Sequence, residues 1–400
     1  MQRIQPQTTS EVIETVRSHA EARRPLAIEG TGSKSGLGRK VEAEQVLSLG
    51  SLSGIRVYQP DELVLTAWSG TPMREIWGAL AEQRQHLAFE PMVAGHLYGR
   101  GNETGTIGGV LACNLSGPRR PSAGAARDHF LGFTAVNGLG EEFKAGGKVV
   151  KNVTGYDLPK LLAGSMGTLA VLLEVTVKVL PAPEKQRTVI VPVPDVAAGH
   201  RCLTRQLQEA FEIDGAALLP AAVAARSSVD MVRAPSSALA AMRIAGSPVS
   251  VADRCAALRG AVGTPSEELH TARSSALWAE IGEVASLLPP DSGALWRLSV
   301  PPASGARIAT QLGEGEEWLM DWGGGRLWIV RRQESVEDAA LVRRAAASVG
   351  GHATLMRGPD GLRQAVDVFP MEAPASLLQR TKVAFDPHGI LNPGRMYRGW

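Results

Sequence analysis

Cysteine is scarce in this chain, and what there is stands apart. Cys113, Cys202 and Cys255 form no CxxC pair, which excludes a disulfide scaffold, an iron–sulfur cluster and a cysteine-rich zinc site. A reducing cytoplasm suits such thiols. Long hydrophobic runs are missing too. The longest apolar-rich stretch without charge lies between Lys160 and Glu174, short of the roughly 20 residues a membrane-crossing helix needs. Glu11 and Glu14 interrupt any signal-like core near the start, so no signal peptide is expected. Neither sign of charge prevails: 42 Lys and Arg stand against 40 Asp and Glu, leaving no footprint for nucleic acid or an acidic lipid surface. Peripheral attachment to the inner membrane through partner proteins stays open. The eight histidines are scattered without ligand spacing, so no metal site is expected.

Glycine, by contrast, is plentiful and clustered. At 400 residues the chain can build two cores. Thr8 to Glu11 has capping-box form, and Val12, Ile13, Val16 and Ala20 then mark one face of a helix ended by Arg24 and Pro25. A strand at Leu26 to Ile28 runs into Glu29-Gly30-Thr31-Gly32-Ser33-Lys34-Ser35-Gly36, too glycine-rich for helix or strand. Strands are expected near Ile55 to Tyr58 and Leu63 to Ala67. A helix then begins at Thr71-Pro72, with Met73, Ile76, Trp77 and Leu80 as its buried stripe. From Pro91 to Gly117 the chain reads as loop, with Gly108-Gly109 and small residues able to approach a large planar ligand. Gly147 to Leu180 combines Lys148 and Lys151 with turns at Gly155, Gly164 and Gly167, then a buried strand passing into alternation at Val175, Val177 and Val179. It reads as the floor of a nucleotide site, although a plain turn and hairpin would use the same residues. Beyond Pro181 the texture changes to alanine-rich helices with strands such as Leu295 to Val300 and Arg326 to Val330. Ser376 to Phe385 reads as a final helix stopped by Asp386-Pro387.

These blocks, in this order, resemble the FAD-binding fold of the vanillyl-alcohol oxidase and p-cresol methylhydroxylase superfamily, in its branch of flavoprotein 2-hydroxy-acid dehydrogenases. EGTGSKSGLG matches the pyrophosphate loop. Ile107 to Gly117 matches IGGxxAxNxxG, and Arg127-Asp128 matches the RD step. Lys151 and Thr154 to Leu169 match KxxTGYDLxxLxxGSxGTL, and Asp386 to Gly394 matches DPxGILNPG. The wording around Asn152 to Pro181 and Leu355 to Gly361 is most similar to the E-subunit family of bacterial glycolate oxidase. That resemblance implies an α+β fold: a two-subdomain p-cresol methylhydroxylase type FAD domain over 1–182, a cap domain over 183–372, and a tail, 373–400, returning to the FAD domain. It implies FAD held by Gly30, Thr31, Gly32, Ser33, Lys34, Pro91, Thr106, Gly108, Gly109, Asn114, Ser116, Gly117, Arg127, Lys151, Gly155, Tyr156, Gly164, Gly167, Thr168 and Asn392. It also implies a larger catalytic flavoprotein subunit and an iron–sulfur subunit as partners. No GxGxxG with a following ribose-binding acid appears, so a dinucleotide-binding Rossmann domain is not expected.

Oxidising a 2-hydroxy acid needs a base and a carboxylate anchor, the base most often a histidine. The HxGDGN-type motif of catalytic relatives is missing here. His352, beside Gly350-Gly351, and Arg357 are the remaining candidates, with room for a small anion expected at the glycines. His388 is expected to line the cofactor pocket. Met166 replaces the usual acid and Ala170 the usual glycine. Three readings follow: a flavin-holding relay subunit supporting oxidation of glycolate to glyoxylate, a self-sufficient 2-hydroxy-acid dehydrogenase, or an assembly subunit with a vestigial flavin site. The cluster Trp318, Trp322 and Trp328 is either core or a partner-facing anchor, with Trp322 the place to probe.

Overall fold

The computed structural model describes residues 2–101, 103–147, 155–234, 237–287, 293–371 and 373–400. The chain divides into two units: one takes residues 1–116, 124–182 and 367–400, the other 117–123 and 183–366.

The first unit opens with a helix, Thr9–Glu21. The Thr8 hydroxyl accepts the Glu11 amide at 3.2 Å, and the Glu11 carboxylate accepts the Gln7 amide at 2.8 Å, which satisfies orphan donors at its start. Its Val12, Val16 and Ala20 share an apolar cluster with Leu26, Ile28 and Leu47. Those belong to a parallel sheet of β1 (Gln2–Ile4), β2 (Leu26–Glu29) and β3 (Gln45–Ser48), in the order β1–β3–β2. A second sheet contains β4 (Ile55–Gln59) and β5 (Val64–Trp68). After a short ribbon strand β6 (Gln85–His86) it continues with β7 (Phe130–Val136), β8 (Glu142–Gly146) and β9 (Val171–Lys178). Its order is β4–β5–β9–β7–β8, and β10 (Leu180–Pro181) pairs with β6.

Strand β9 holds both layers together. Ala135 pairs with Leu172 but Thr134 with Glu174, so Leu173 is an extra, bulged residue. The bulge inverts the alternation. Val171 and Leu173 enter the cluster of Val16 and Leu26, whereas Leu172, Val175 and Val177 enter that of Ile76 and Phe133. An unbroken apolar run followed by clean alternation is what such a strand requires.

The second unit is built on one eight-stranded antiparallel sheet. Its strands are β11 (Lys185–Val193), β12 (Gly215–Leu219), β13 (Ala238–Gly246), β14 (Glu267–His270), β15 (Ala294–Ser299), β16 (Glu317–Asp321), β17 (Arg326–Arg331) and β18 (His352–Arg357). They lie in the order β14–β11–β13–β12–β16–β17–β15–β18. Strands β12 and β13 read GAALL and ALAAMRIAG; alanine there mimics helix in the sequence, but most of these residues are buried in mid-sheet, where small side chains suffice. Among the described residues, no helix is long and apolar enough to cross a membrane.

Candidate functional site

Glycine turns far apart in sequence meet in the first unit. The first follows β2, with Gly32 and Gly38 at φ +79° and +87°, values that only glycine adopts freely. A Cβ at Gly30 would collide with Thr106 Oγ1, and one at Gly105 would lie 2.5 Å from Ser33 Oγ and 2.7 Å from Lys34 Nζ. The 30–34 loop therefore rests directly on the 105–106 turn. Lys34 is buried, and the Arg395 guanidinium donates to its carbonyl at 3.1 Å.

The stretch read as loop from Pro91 to Gly117 contains a helix, Ile107–Cys113, capped by the Thr106 hydroxyl, which accepts the Gly109 amide at 3.2 Å. The pair Gly108-Gly109, each costing about 1 kcal/mol of helix propensity, conceals it; Thr106 followed by Ile107, Val110 and Leu111 was the available signal. The two glycines face different ways. A Cβ at Gly108 would sit 2.6 Å from Ser69 Cβ, while one at Gly109 would meet only Thr106 Oγ1, at 3.3 Å. Ser69 is itself placed by the β9 bulge, its amide donating to the Leu173 carbonyl at 2.8 Å. Gly109, Ala112 and Cys113 form the helix's half-buried, small-residue face. Burial pushes the Cys113 thiol up, and the charges of Lys34 and Arg395 act against that shift, which places two cations near this face.

The third turn closes the far end of the same helix. Gly164 and Met166 amides donate to the Leu111 and Ala112 carbonyls at 3.2 and 2.9 Å, at the helix end where the Leu111 carbonyl also accepts the Asn114 amide. Gly164 and Gly167 have φ +87° and +71°, and Met166, at the position where the resembling family usually has an acid, takes a left-handed φ of 57°. Asn392 joins this turn to the first. Its Oδ1 accepts the Ile28 amide at 2.8 Å and its Nδ2 donates to the Met166 carbonyl at 2.8 Å. Its amide holds two loops in register.

A residue that sequence reasoning missed completes the frame. Lys382, the only buried residue of the helix Ala375–Phe385, donates to the Thr168 carbonyl at 2.7 Å, to Asp386 Oδ2 at 2.6 Å and to the Leu391 carbonyl at 3.0 Å. Burial lowers its pKa against the opposing pull of Asp386. Asp386 also accepts the Ile390 and Leu391 amides, which explains why the glycine- and proline-rich tail is ordered. A lysine four residues before an aspartate is ordinary on a solvated helix face, so the sequence carried no signal for this role.

Of the other candidates, Asn114 ends the same helix and borders the third turn, since a Cβ at Gly164 would lie 3.5 Å from its Cβ. The Asn114 and Ser116 side chains accept the Arg127 and Ala126 amides at 3.1 and 2.9 Å, bracing the chain, and the Arg127 side chain is half exposed. Gly117 belongs to the second unit, where its carbonyl accepts Trp322 Nε1 at 3.1 Å. Pro91 is half-buried ahead of the short turn Gly95–Tyr98. Among the described residues, nothing lies within 4 Å of a Cβ placed at Gly155, and Tyr156 is 89% exposed. Lys148, Lys151 and Thr154 lie outside the described residues. His388, expected in the cofactor pocket, instead lines a surface hollow of about 470 Å³ with Arg17, Arg23 and Leu139.

The candidate catalytic pair is not assembled. His352 pairs with Ser299 and Arg357 with Leu295, four residues apart on β15, which is about 14 Å at roughly 3.4 Å per residue. A Cβ at Gly351 would collide with the Ser299 carbonyl, whereas one at Gly350 would meet no described atom within 4 Å. Arg357 donates to the Gly293 carbonyl at 2.9 Å. Trp318 and Trp328 are buried. Trp322 is half-buried within the second unit, with the guanidinium groups of Arg120 and Arg326 4.8 and 4.2 Å from its ring centre.

Does this frame suit a flavin dinucleotide? The Thr31 hydroxyl is buried without a hydrogen-bond partner, a state that costs about 1–3 kcal/mol unless a ligand answers it. Beside it stand a buried lysine, loops in which added Cβ atoms would clash, and a flat face of small residues. A diphosphate and a planar ring need these features, so the residues fit the group.

Comparison with known proteins agrees. A family described as FAD binding domain matches residues 2–146, and one described as FAD linked oxidases, C-terminal domain, matches 369–396. The glycolate oxidase subunit GlcE of Escherichia coli is 36% identical over 96% of this chain and 96% of its own length. A D-lactate dehydrogenase of Archaeoglobus fulgidus is 30% identical over 50% of this chain and 43% of its own. The crystal structure of p-cresol methylhydroxylase with substrate bound superposes with a TM-score of 0.73 at 15% identity, over 98% of this chain and 88% of that one. That likeness establishes the α+β fold.

Proposed function

This chain belongs to the glycolate oxidase subunit GlcE family of FAD-linked oxidoreductases, and from that premise we propose that it is the flavin-holding subunit of a glycolate-oxidising complex. It works beside a larger catalytic flavoprotein subunit and an iron–sulfur subunit, in the oxidation of glycolate to glyoxylate. The observation that carries the reading is the convergence of the 30–34, 105–109 and 164–168 turns, the first of which carries a buried Thr31 hydroxyl without a hydrogen-bond partner.

Bound FAD supplies two-electron acceptance and stepwise release. The chain's own part is positional. Thr31, Ser33 and Lys34, with the backbone of Gly30 and Gly32, hold and neutralise the diphosphate. Gly109, Ala112 and Cys113 leave a flat bed for the ring, and Thr106 fixes the helix that carries them. Asn392 keeps the first and third turns in register. The separation of His352 from Arg357 supports a relay role over substrate turnover by this chain alone, because a base and an anchor must reach one small molecule together.

The test is to purify the chain alone and with its partners, then measure bound flavin and glycolate-dependent dye reduction. Flavin retained by the isolated chain, with dye reduction only in the complex, is expected. Rapid glycolate oxidation by the isolated chain would overturn the relay reading, and a colourless chain in an active complex would point to a vestigial site.

A further inference from the structure

The C-terminal tail touches both sides of the frame just described, and one side chain makes the connection. Lys382 Nζ reaches the Thr168 carbonyl of the third turn and the Leu391 carbonyl of the tail. From Leu391 the link continues through backbone: the Asn392 amide donates to the Leu26 carbonyl at 3.0 Å, and the Leu26 amide donates to the Ile390 carbonyl at 2.8 Å. Leu26 opens β2, the strand that delivers Gly30 to Lys34. The ammonium therefore sits at a junction between the third turn and the tail segment that pairs with β2.

The rest of the helix Ala375–Phe385 is poorly suited to dock by apolar burial. Leu377 and Val383 are exposed, and Phe385 is only partly buried, against Phe143 at 5.8 Å between ring centres. A helix whose buried residue is a lysine depends on the carbonyls that receive it. The Thr168 carbonyl belongs to the cofactor frame, so anything that firms the 164–168 turn firms the tail.

We propose that Lys382 is a positioning residue for the flavin, and that docking of the 375–392 tail and binding of FAD are two aspects of one equilibrium. The proposal rests on the FAD reading above. FAD that contacts the 30–34 and 164–168 turns holds the Thr168 carbonyl and the β2 strand in place, which strengthens the tail's attachment. A tail held by Lys382 in turn presents both turns in the geometry FAD needs. The coupling is reciprocal by linkage.

Two measurements on the purified full chain test it. In hydrogen exchange on the wild-type protein, the amides of Ile390, Leu391 and Asn392 should exchange at least tenfold more slowly with saturating FAD than without it, while amides of β13 in the second unit stay unchanged. In a flavin-fluorescence titration, Lys382→Met should weaken FAD binding by roughly 10- to 100-fold. Asp386→Asn, which keeps the lysine but removes its counter-charge, should fall between Lys382→Met and wild type. Tail exchange that ignores FAD, or Lys382→Met that binds FAD with wild-type affinity, overturns the coupling. If Lys382→Met does not fold, the wild-type exchange experiment decides alone. A wild-type chain that takes up no FAD overturns the flavin reading itself, a result distinguishable from failure of the latch.

Discussion

Two adjacent glycines in one helix should respond oppositely to the same added methyl group. Gly108→Ala places a Cβ 2.6 Å from Ser69 Cβ and 2.7 Å from the Ser69 carbonyl oxygen, which also accepts the Gly108 amide at 2.9 Å. Backbone held by the β9 bulge cannot swing aside as a side chain can. Overpacking of this kind costs about 1–3 kcal/mol, and here the upper end applies; helix propensity returns about 1 kcal/mol. The net loss of about 2 kcal/mol corresponds to roughly 4–8 °C in the melting temperature of a unit this size. Gly109→Ala meets only the Thr106 hydroxyl, at 3.3 Å. Its gain of about 1 kcal/mol is offset by a similar weakening of the Thr106 cap, so the apo-protein should melt within about 2 °C of wild type. The methyl then stands on the small-residue face proposed for the flavin ring, where a comparable overlap weakens FAD binding by roughly 10- to 100-fold. Thermal melts of the flavin-free protein and fluorescence titrations with FAD separate the two effects. A Gly109→Ala variant with full FAD affinity would refute the placement of the ring on that face, and a Gly108→Ala variant as stable as wild type would refute the packing argument.

Further outcomes are expected elsewhere. His352→Ala should leave glycolate-dependent dye reduction by the assembled complex within about twofold of wild type, whereas a loss beyond a hundredfold would restore the self-sufficient enzyme reading. Trp322→Phe removes the bond to the Gly117 carbonyl and should lower stability in urea by about 1 kcal/mol, with co-purification of partners unchanged; loss of the partners would return Trp322 to an assembly surface. Cys255 is fully buried, and burial, with Glu268 adding to it, pushes its thiol up to about 11 from 9.0. The folded protein holds this proton where the unfolded chain releases it, so the thiol's contribution to stability is whole below pH 9 and is lost as pH rises through about 11. A Cys255→Ala variant should lack that part of the alkaline decline, and an identical pH profile would contradict the assignment.

The glycine turns were legible in the sequence because left-handed backbone and clash-free approach demand glycine, and Gly30, Gly32, Gly164 and Gly167 have no substitute. The helix at Ile107–Cys113 was hidden by the same logic, since two glycines that open one face and seat the other look like loop. Strands β12 and β13 escaped notice because alanine carries no period-two signal. Asn392 was recognised from its motif, but its bonds to Ile28 and Met166 were not legible, because a motif marks that a residue matters while only geometry shows what it braces. Lys382 was invisible for a related reason. A lysine on a helix is ordinarily solvated, and nothing local announces that three oxygens await it.

The hydrogen bond from the Ile28 amide to Asn392 spans 364 residues, and the second unit is encoded in between. At about 5–20 residues per second of synthesis, roughly 20–70 s separate the emergence of its two ends from the ribosome. Until the later end arrives, β2 lacks its neighbour and the third turn lacks its anchor, so cofactor insertion must await a nearly finished polypeptide. Nascent chains stalled before Asn392 should therefore remain colourless, however much flavin the cell supplies.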